Sequence, residues 1–307
     1  MAGRGPAPAN RLTRSVDAPD LTWIFGSSRS GSTWLLRMLR RHPDVLGIDE
    51  TGLGHHLGLW RPIALAWDTP EPPELTTFMK VKADRPDYFF NEEFADTWRP
   101  ALAEMFDRRL RAQIDGAAPD WRDDATRVVI KEPGGSQMAS ELLRLGEGSR
   151  LVFLLRDGRD VVDSWLDAYA EGTWASEDGA YVVTEENRIP FIRWQAAAWK
   201  YRTEALDAAY EAHDPDRRTL IRYEELLADP EAVMTGLLSD LGLDADAALI
   251  SEIVAAEAHA GVPDEEKGAG KEIRLASPGS WREHMSDDEV AAMEAEIGDS
   301  LRAHGYE

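Results

Sequence analysis

Four short apolar runs, each closed by glycine, proline or charge, alternate along this chain with longer stretches whose apolar residues recur every three to four positions. Leu21 to Phe25, Arg127 to Lys131, Leu151 to Arg156 and Thr219 to Tyr223 read as β-strands. Thr33 to Arg41, a stretch from Pro100 to Ile114, and Ile189 to His213 read as helices. In the last of these, Trp194, Ala198, Tyr201, Ala205 and Ala209 share one face, as in a stripe packed on a core. Strands alternating with helices predict an α/β fold with a central parallel β-sheet flanked by helices on both faces. In such sheets ligands bind beyond the carboxyl ends of the strands. Gly26 to Ser32, Lys131 to Ser136, Arg156 and Tyr223 all fall at such ends.

The pattern lapses in three places. Residues 44–126, apart from the helix at Pro100, read as irregular, with prolines at 62, 70, 72, 73, 86 and 100 among Trp60, Trp67, Phe78, Tyr88, Phe89, Phe90 and Trp98. An insertion there could cover the open side of a site; ordinary packing of the aromatic residues is the competing reading. Gly261 to Gly279 is rich in glycine and charge, which suits a mobile flap over residues 261–282. Residues 1–18 carry arginines but no apolar run of the kind a signal peptide needs, and read as a disordered tail.

Composition narrows the classes. The 307 residues allow one large domain or two small ones. Without cysteine there are no disulfides, no thiol chemistry and no cysteine-ligated metal. No apolar run approaches the length needed to span a bilayer. A formal charge of −23 disfavours nucleic acid and anionic membranes as partners. A polyanionic ligand must therefore meet a local concentration of cations, for which Arg29, Lys131, Arg156 and Arg274 are the candidates.

The first strand runs into Gly26-Ser27-Ser28-Arg29-Ser30-Gly31-Ser32-Thr33, a glycine-bounded loop that opens a helix. Backbone N–H groups and the helix N-terminus make this a phosphate cradle. A nucleoside-triphosphate loop of the form G-x-x-x-x-G-K-[ST] needs a lysine to reach the β- and γ-phosphates. Gly26, Gly31 and Thr33 fit that spacing, but Ser32 stands where the lysine should be, and the cation is Arg29, inside the loop. The loop suits a 5′-phosphate and argues against ATP or GTP.

Arg29-Ser30-Gly31-Ser32-Thr33-Trp34 resembles the first signature of the sulfotransferases that use 3′-phosphoadenosine 5′-phosphosulfate (PAPS). Their second signature, a strand ending in arginine with a serine eight residues on, is matched by Arg156 and Ser164. Their third, R-x-G-x-x-G-x-W-[KR], is matched by Arg274 to Arg282, with Ala276 replacing the first glycine. Three signatures converging on one nucleotide imply a single domain, residues 19–307. The resemblance implies that Ser30, Gly31, Ser32 and Thr33 cradle the 5′-phosphate, and that Trp34 and Tyr223 contact adenine, though either ring could instead be core. Arg156, Ser164 and Arg274 would grip the 3′-phosphate, with Gly279 bringing backbone close to it.

Sulfuryl transfer develops charge on the oxygen bridging phosphorus and sulfur, so fixed cations there act most strongly in the transition state. The resemblance gives that part to Arg29 and Lys131; an ion pair with Glu132 is the structural alternative for the lysine. Asp49-Glu50-Thr51 is similar to a Glu-Glu-Thr of the tyrosylprotein sulfotransferases, whose catalytic base aligns with Glu50. His55 and His56 are the competing bases. The cytosolic members carry a histidine two residues beyond the lysine, where this chain has Pro133. The implied acceptor is a hydroxyl of a small molecule, glycan or lipid, with no metal required, and the absence of a membrane anchor implies a cytoplasmic enzyme. A sugar or nucleotide kinase would need a lysine at position 32. A non-catalytic nucleotide-binding protein would have no use for Arg29, Glu50 and Lys131 together.

Overall fold

Every residue of Leu21–Gly26 is buried, because this strand (β1) lies at the centre of the sheet with both faces covered. The protein is described here by a computed structural model covering residues 21–54, 90–117, 127–146, 148–179, 181–258 and 277–307. In chain order, β1 is followed by α1 (Ser32–Arg40), β2 (Val45–Ile48), α2 (Ala95–Ala117), β3 (Arg127–Lys131) and α3 (Ala139–Leu143). Then come β4 (Arg150–Leu155), α4 (Gly158–Ala168), α5 (Trp174–Gly179), α6 (Arg188–Ala212) and β5 (Arg218–Arg222). The chain ends with α7 (Tyr223–Ala228), α8 (Pro230–Asp240), α9 (Ala247–Ala256), α10 (Trp281–His284) and α11 (Asp287–Ala303). The five strands are parallel in the order β2-β3-β1-β4-β5. The expected single α/β domain with helices on both faces is the fold observed.

Alternation along the strands divides the core in two. Trp23 and Phe25 of β1, Val128 and Ile130 of β3, and Leu151, Phe153 and Leu155 of β4 pack with α4, α6 and α11. Ile24, Val129, Val152 and Leu154 face the other way, onto α1, α8 and α9. The first layer is the more aromatic: Trp23 stacks on Phe25 and Phe106 at 5.5 and 5.6 Å between ring centres. The α6 helix is buried round more than the one stripe expected, with Phe191, Gln195, Trp199 and Arg202 inside as well as Trp194 and Ala198. Among the described residues no helix is long and apolar enough to cross a membrane.

Two elements depart from the expected pattern. Val45–Ile48 forms the edge strand β2 inside the segment read as irregular; it has only four residues and contains a glycine, too little for alternation to show. Gly47 leaves room there for the Arg40 side chain, which an added Cβ would approach to 2.4 Å and whose guanidinium donates to the Gly47 carbonyl and covers the sheet edge. The α2 helix begins before Pro100 and holds that proline inside it. The start signal is Asn91, whose Oδ1 accepts from the Glu93 N–H (2.7 Å) and opens a 3-10 turn leading into α2.

The carboxyl end of β1 is fixed by one hydroxyl. Buried Ser136 Oγ accepts from the Gly26 N–H (3.0 Å) and donates to the Gly26 carbonyl (2.7 Å). Ser136→Ala would strand both groups, and an unsatisfied buried donor costs about 1–3 kcal/mol. Chemical denaturation of the two proteins should show a loss in that range; an unchanged midpoint would mean the strand end is held by other means.

Candidate active site

The cradle is built on two backbone conformations that few residues adopt. Gly31, the residue before α1, has φ +89°, and a Cβ there would lie 2.5 Å from the Tyr223 ring. Arg29 has φ +72°, and among the described residues it is the only non-glycine with positive φ. Such strain gathers where a loop must present its backbone to a ligand. No side chain caps α1 and no acid occupies its first turn, so the N–H groups at Ser32, Thr33 and Trp34 face the loop without intrahelical partners. Ser30 Oγ is buried inside the loop with no hydrogen-bond partner among the described residues.

The residues expected at the 3′-phosphate gather on one side of this loop. Arg156, 4% exposed, ends β4 and donates from Nη1 to the Arg29 carbonyl (2.7 Å) while lying 4.5 Å over the Tyr223 ring. Its Nε and Nη2 are buried without acceptors among the described residues. Ser164 on α4 accepts from Arg29 Nε (3.0 Å). Orphaned guanidinium donors beside a hydroxyl and a helix N-terminus fit a phosphorylated nucleotide. Trp34 meets Tyr223 edge-on at 6.4 Å, with its Nε1 donating to the Glu257 carbonyl (3.0 Å). Burial raises the Tyr223 hydroxyl above its ordinary pKa.

Two expected positions are refined. Arg29 was expected on the 5′-phosphate; here its guanidinium lies on Ser164, 5.9 Å from the Trp165 ring and 5.8 Å from the Trp174 ring. The left-handed backbone and the attraction of two indoles explain the direction. Gly279 has φ +82°, as a glycine should, yet its N–H goes to Asp160 Oδ2 (2.8 Å) rather than outward. Ser280 and His284 bind Asp163 in the same way, so α4 pins the 279–284 segment. Arg274 and Ala276, like His55 and His56, lie outside the described residues.

On the other side of the loop stands Lys131, 7% exposed at the end of β3. Its Nζ donates to Thr33 Oγ1 (3.1 Å) and lies 3.6 Å from both Asp49 Oδ1 and Glu50 Oε1. Asp49 is also held by Arg40 at 2.8 Å. Partial burial pushes the Asp49 pKa up, but Arg40 and Lys131 together bring it below the ordinary carboxylate value. That makes it a weak proton acceptor. Glu132 does not pair with Lys131: it is buried on the opposite side, where Oε2 accepts from the Thr51 N–H (2.6 Å), Thr51 Oγ1 (2.7 Å) and the Gly52 N–H (3.3 Å). Burial raises its pKa against those bonds. It fixes the turn that carries Glu50.

Comparison with known proteins decides what this geometry belongs to. Residues 22–247 match the model of the sulfotransferase family. The chain belongs to that family. A Caenorhabditis briggsae protein named as a candidate protein-tyrosine sulfotransferase is 22% identical over 293 residues, covering 94% of this chain and 89% of its own length. A Mycobacterium avium sulfotransferase shares 16% identity at a TM-score of 0.54, covering 95% of this chain and 78% of that one. The sulfotransferase domain of the curacin biosynthetic pathway shares 19% at 0.50, covering 94% and 98%. A mouse sulfotransferase solved with PAP shares 13% at 0.50, covering 92% and 84%. At these identities the structures establish a shared fold.

No role was read from the sequence for Asp49, for the Thr51–Glu132 clamp, or for Arg202, a buried arginine on α6 that feels the charge of Glu50. For Arg202 the signal available was a lone cation in phase with buried Gln195 and Trp199. The site predicts a ligand order. The product nucleotide 3′-phosphoadenosine 5′-phosphate at about 100 times its Kd should stabilise the protein by about 2.7 kcal/mol. ATP with magnesium and AMP, which offer nothing to Arg156, should do less. Thermal shift measures this, and equal stabilisation by ATP would count against the Arg156–Ser164 assignment.

Proposed function

We propose that this sulfotransferase moves a sulfuryl group from PAPS to a hydroxyl of a small-molecule, glycan or lipid acceptor, with Glu50 as the base. The observation that carries the reading is Lys131, whose ammonium touches the cradle at Thr33 and the carboxylate turn at Glu50. A hydroxyl placed to attack a group held by the cradle therefore lies within reach of a carboxylate. The co-substrate supplies an SO₃ group on a phosphate leaving group. Glu50 takes the acceptor's proton as the hydroxyl oxygen bonds to sulfur. Lys131 stabilises the negative charge that gathers as the sulfur–oxygen bond to phosphate breaks. Arg29 acts on the 5′-phosphate, since its hydrogen bond to the neutral Ser164 hydroxyl is weaker than one to a phosphate oxygen. Arg156, Ser164 and Arg274 hold the 3′-phosphate.

Two substitutions separate these parts. Lys131→Ala should leave affinity for the product nucleotide nearly unchanged and lower kcat by roughly 10²–10³, the loss seen when a transition-state donor is removed. Unchanged turnover at saturating substrates would remove Lys131 from the chemistry. Glu50→Gln keeps the shape and loses the proton sink, so transfer to an aliphatic alcohol should fall by roughly 10²–10⁴. A phenol, with a pKa near 10, needs less help and should retain relatively more activity. If Glu50→Gln sulfates an alcohol normally while His55→Ala or His56→Ala does not, the base is a histidine.

A further inference from the structure

A guanidinium drawn largely out of water needs an acceptor, and Arg202 has none among the described residues. It is 8% exposed on α6. Among the described residues none of its donors makes a hydrogen bond and no carboxylate lies within ion-pair distance. Burial pushes its pKa down to about 10, with Glu50 pulling the other way, so it keeps its charge at neutral pH. Among the described residues Glu50 is the one carboxylate whose field it feels, from beyond ion-pair distance. Three residues earlier, Trp199 Nε1 donates to the Arg156 carbonyl (3.2 Å), placing this part of α6 under the carboxyl end of β4. Gln195, in phase with Trp199 and Arg202, is 7% exposed, and its amide also has no partner among the described residues. Two largely buried polar side chains on one helical stripe, neither hydrogen-bonded among the described residues and both near the carboxyl end of β4, suit a polar ligand.

We propose that Arg202, with Gln195 beside it, forms an acceptor subsite for an anionic oxygen group, a carboxylate or phosphate, carried by the acceptor near the hydroxyl that Glu50 deprotonates. This rests on the reading of Glu50 as base. The planar fork of an arginine matches both anions, and the partner it lacks among the described residues is the partner such an acceptor supplies. A neutral acceptor would leave the charge buried and unpaired, which is how a site rejects a near-isostere. Arg202 is then a specificity residue: it selects the acceptor and takes no proton.

The test uses matched acceptors: 4-hydroxyphenylacetate against its methyl ester for the carboxylate, and glycerol 3-phosphate against glycerol for the phosphate. The intact protein should favour the anionic member of at least one pair by about ten- to a hundredfold in kcat/KM, mostly through KM. Arg202→Met should erase that preference without changing affinity for the product nucleotide, and Arg202→Lys should keep part of it. A readout without turnover accompanies this. Arg202→Met should melt above the wild type, because an uncompensated buried charge is gone. With the product nucleotide bound, 4-hydroxyphenylacetate or glycerol 3-phosphate should raise the melting temperature of the wild type but not of the variant. Equal use of both members of each pair, a preference that survives in Arg202→Met, or a variant that melts lower would overturn the subsite. Equal sulfation of neutral acceptors leaves Glu50 as base and removes only the anion site. Arg202-dependent anion binding with no transfer to any acceptor would instead sink the proposed reaction and keep the site.

Discussion

One ammonium, that of Lys131, holds the two halves of the site in register. Taking it out of water costs several kcal/mol unless its partners are well placed. They come from the first turn of α1 and from the turn after β2. Those two elements flank the central strands, so the lysine's need for partners fixes how close the phosphate cradle and the acidic turn can lie. Of its two carboxylates, Asp49 is also bound to Arg40 and is the settled one. Glu50, paired among the described residues only with Lys131 at 3.6 Å, remains able to change partner. A base that must trade a cation for a proton needs that freedom.

The same turn is fixed from below by a carboxylate with a different task. Glu132 spends one oxygen on three donors of residues 51 and 52, while burial favours its neutral form. Adjacent residues of one strand end thus serve opposite purposes, because successive side chains point to opposite faces. Lys131 reaches the cleft and Glu132 reaches the scaffold. On the far side of the cradle, Arg156 and Ser164 both bind Arg29, one at its carbonyl and one at its side chain. A phosphate taken by Arg156 and Ser164 would therefore compete for the groups that now hold Arg29 in place.

How much of this was legible in the sequence depended on whether the controlling residue was local. The central strands β1, β3 and β4 were readable because their apolar runs must cover both faces of the sheet. The edge strand β2 was not, since four residues with Gly47 among them carry no alternation. The start of α2 was misplaced because Pro100 imitates a first-turn proline, whereas Asn91 is the cap. The cradle followed from glycine spacing, and Lys131 and Arg156 lie where β3 and β4 end. The direction of Arg29 was not readable, because it depends on Trp165 and Trp174, more than a hundred residues away. Gly279 shows the limit of a motif: its position and backbone conformation are as expected, but Asp160 takes the amide that a phosphate was expected to meet.

The net charge gives the last constraint on what the site can admit. A chain of charge −23 repels the polyanion its cradle fits. That repulsion acts through solvent and fades over about 8–10 Å at ordinary ionic strength. The attraction comes from Arg156 and Lys131, nearly buried and little screened, so it grows as a ligand leaves water and enters. Selectivity then belongs to the interior: an anion is held only if it reaches guanidinium donors that have no acceptor of their own. Arg156 has such donors at the cradle, and Arg202, largely buried and within the field of Glu50, would offer its own in the proposed acceptor subsite.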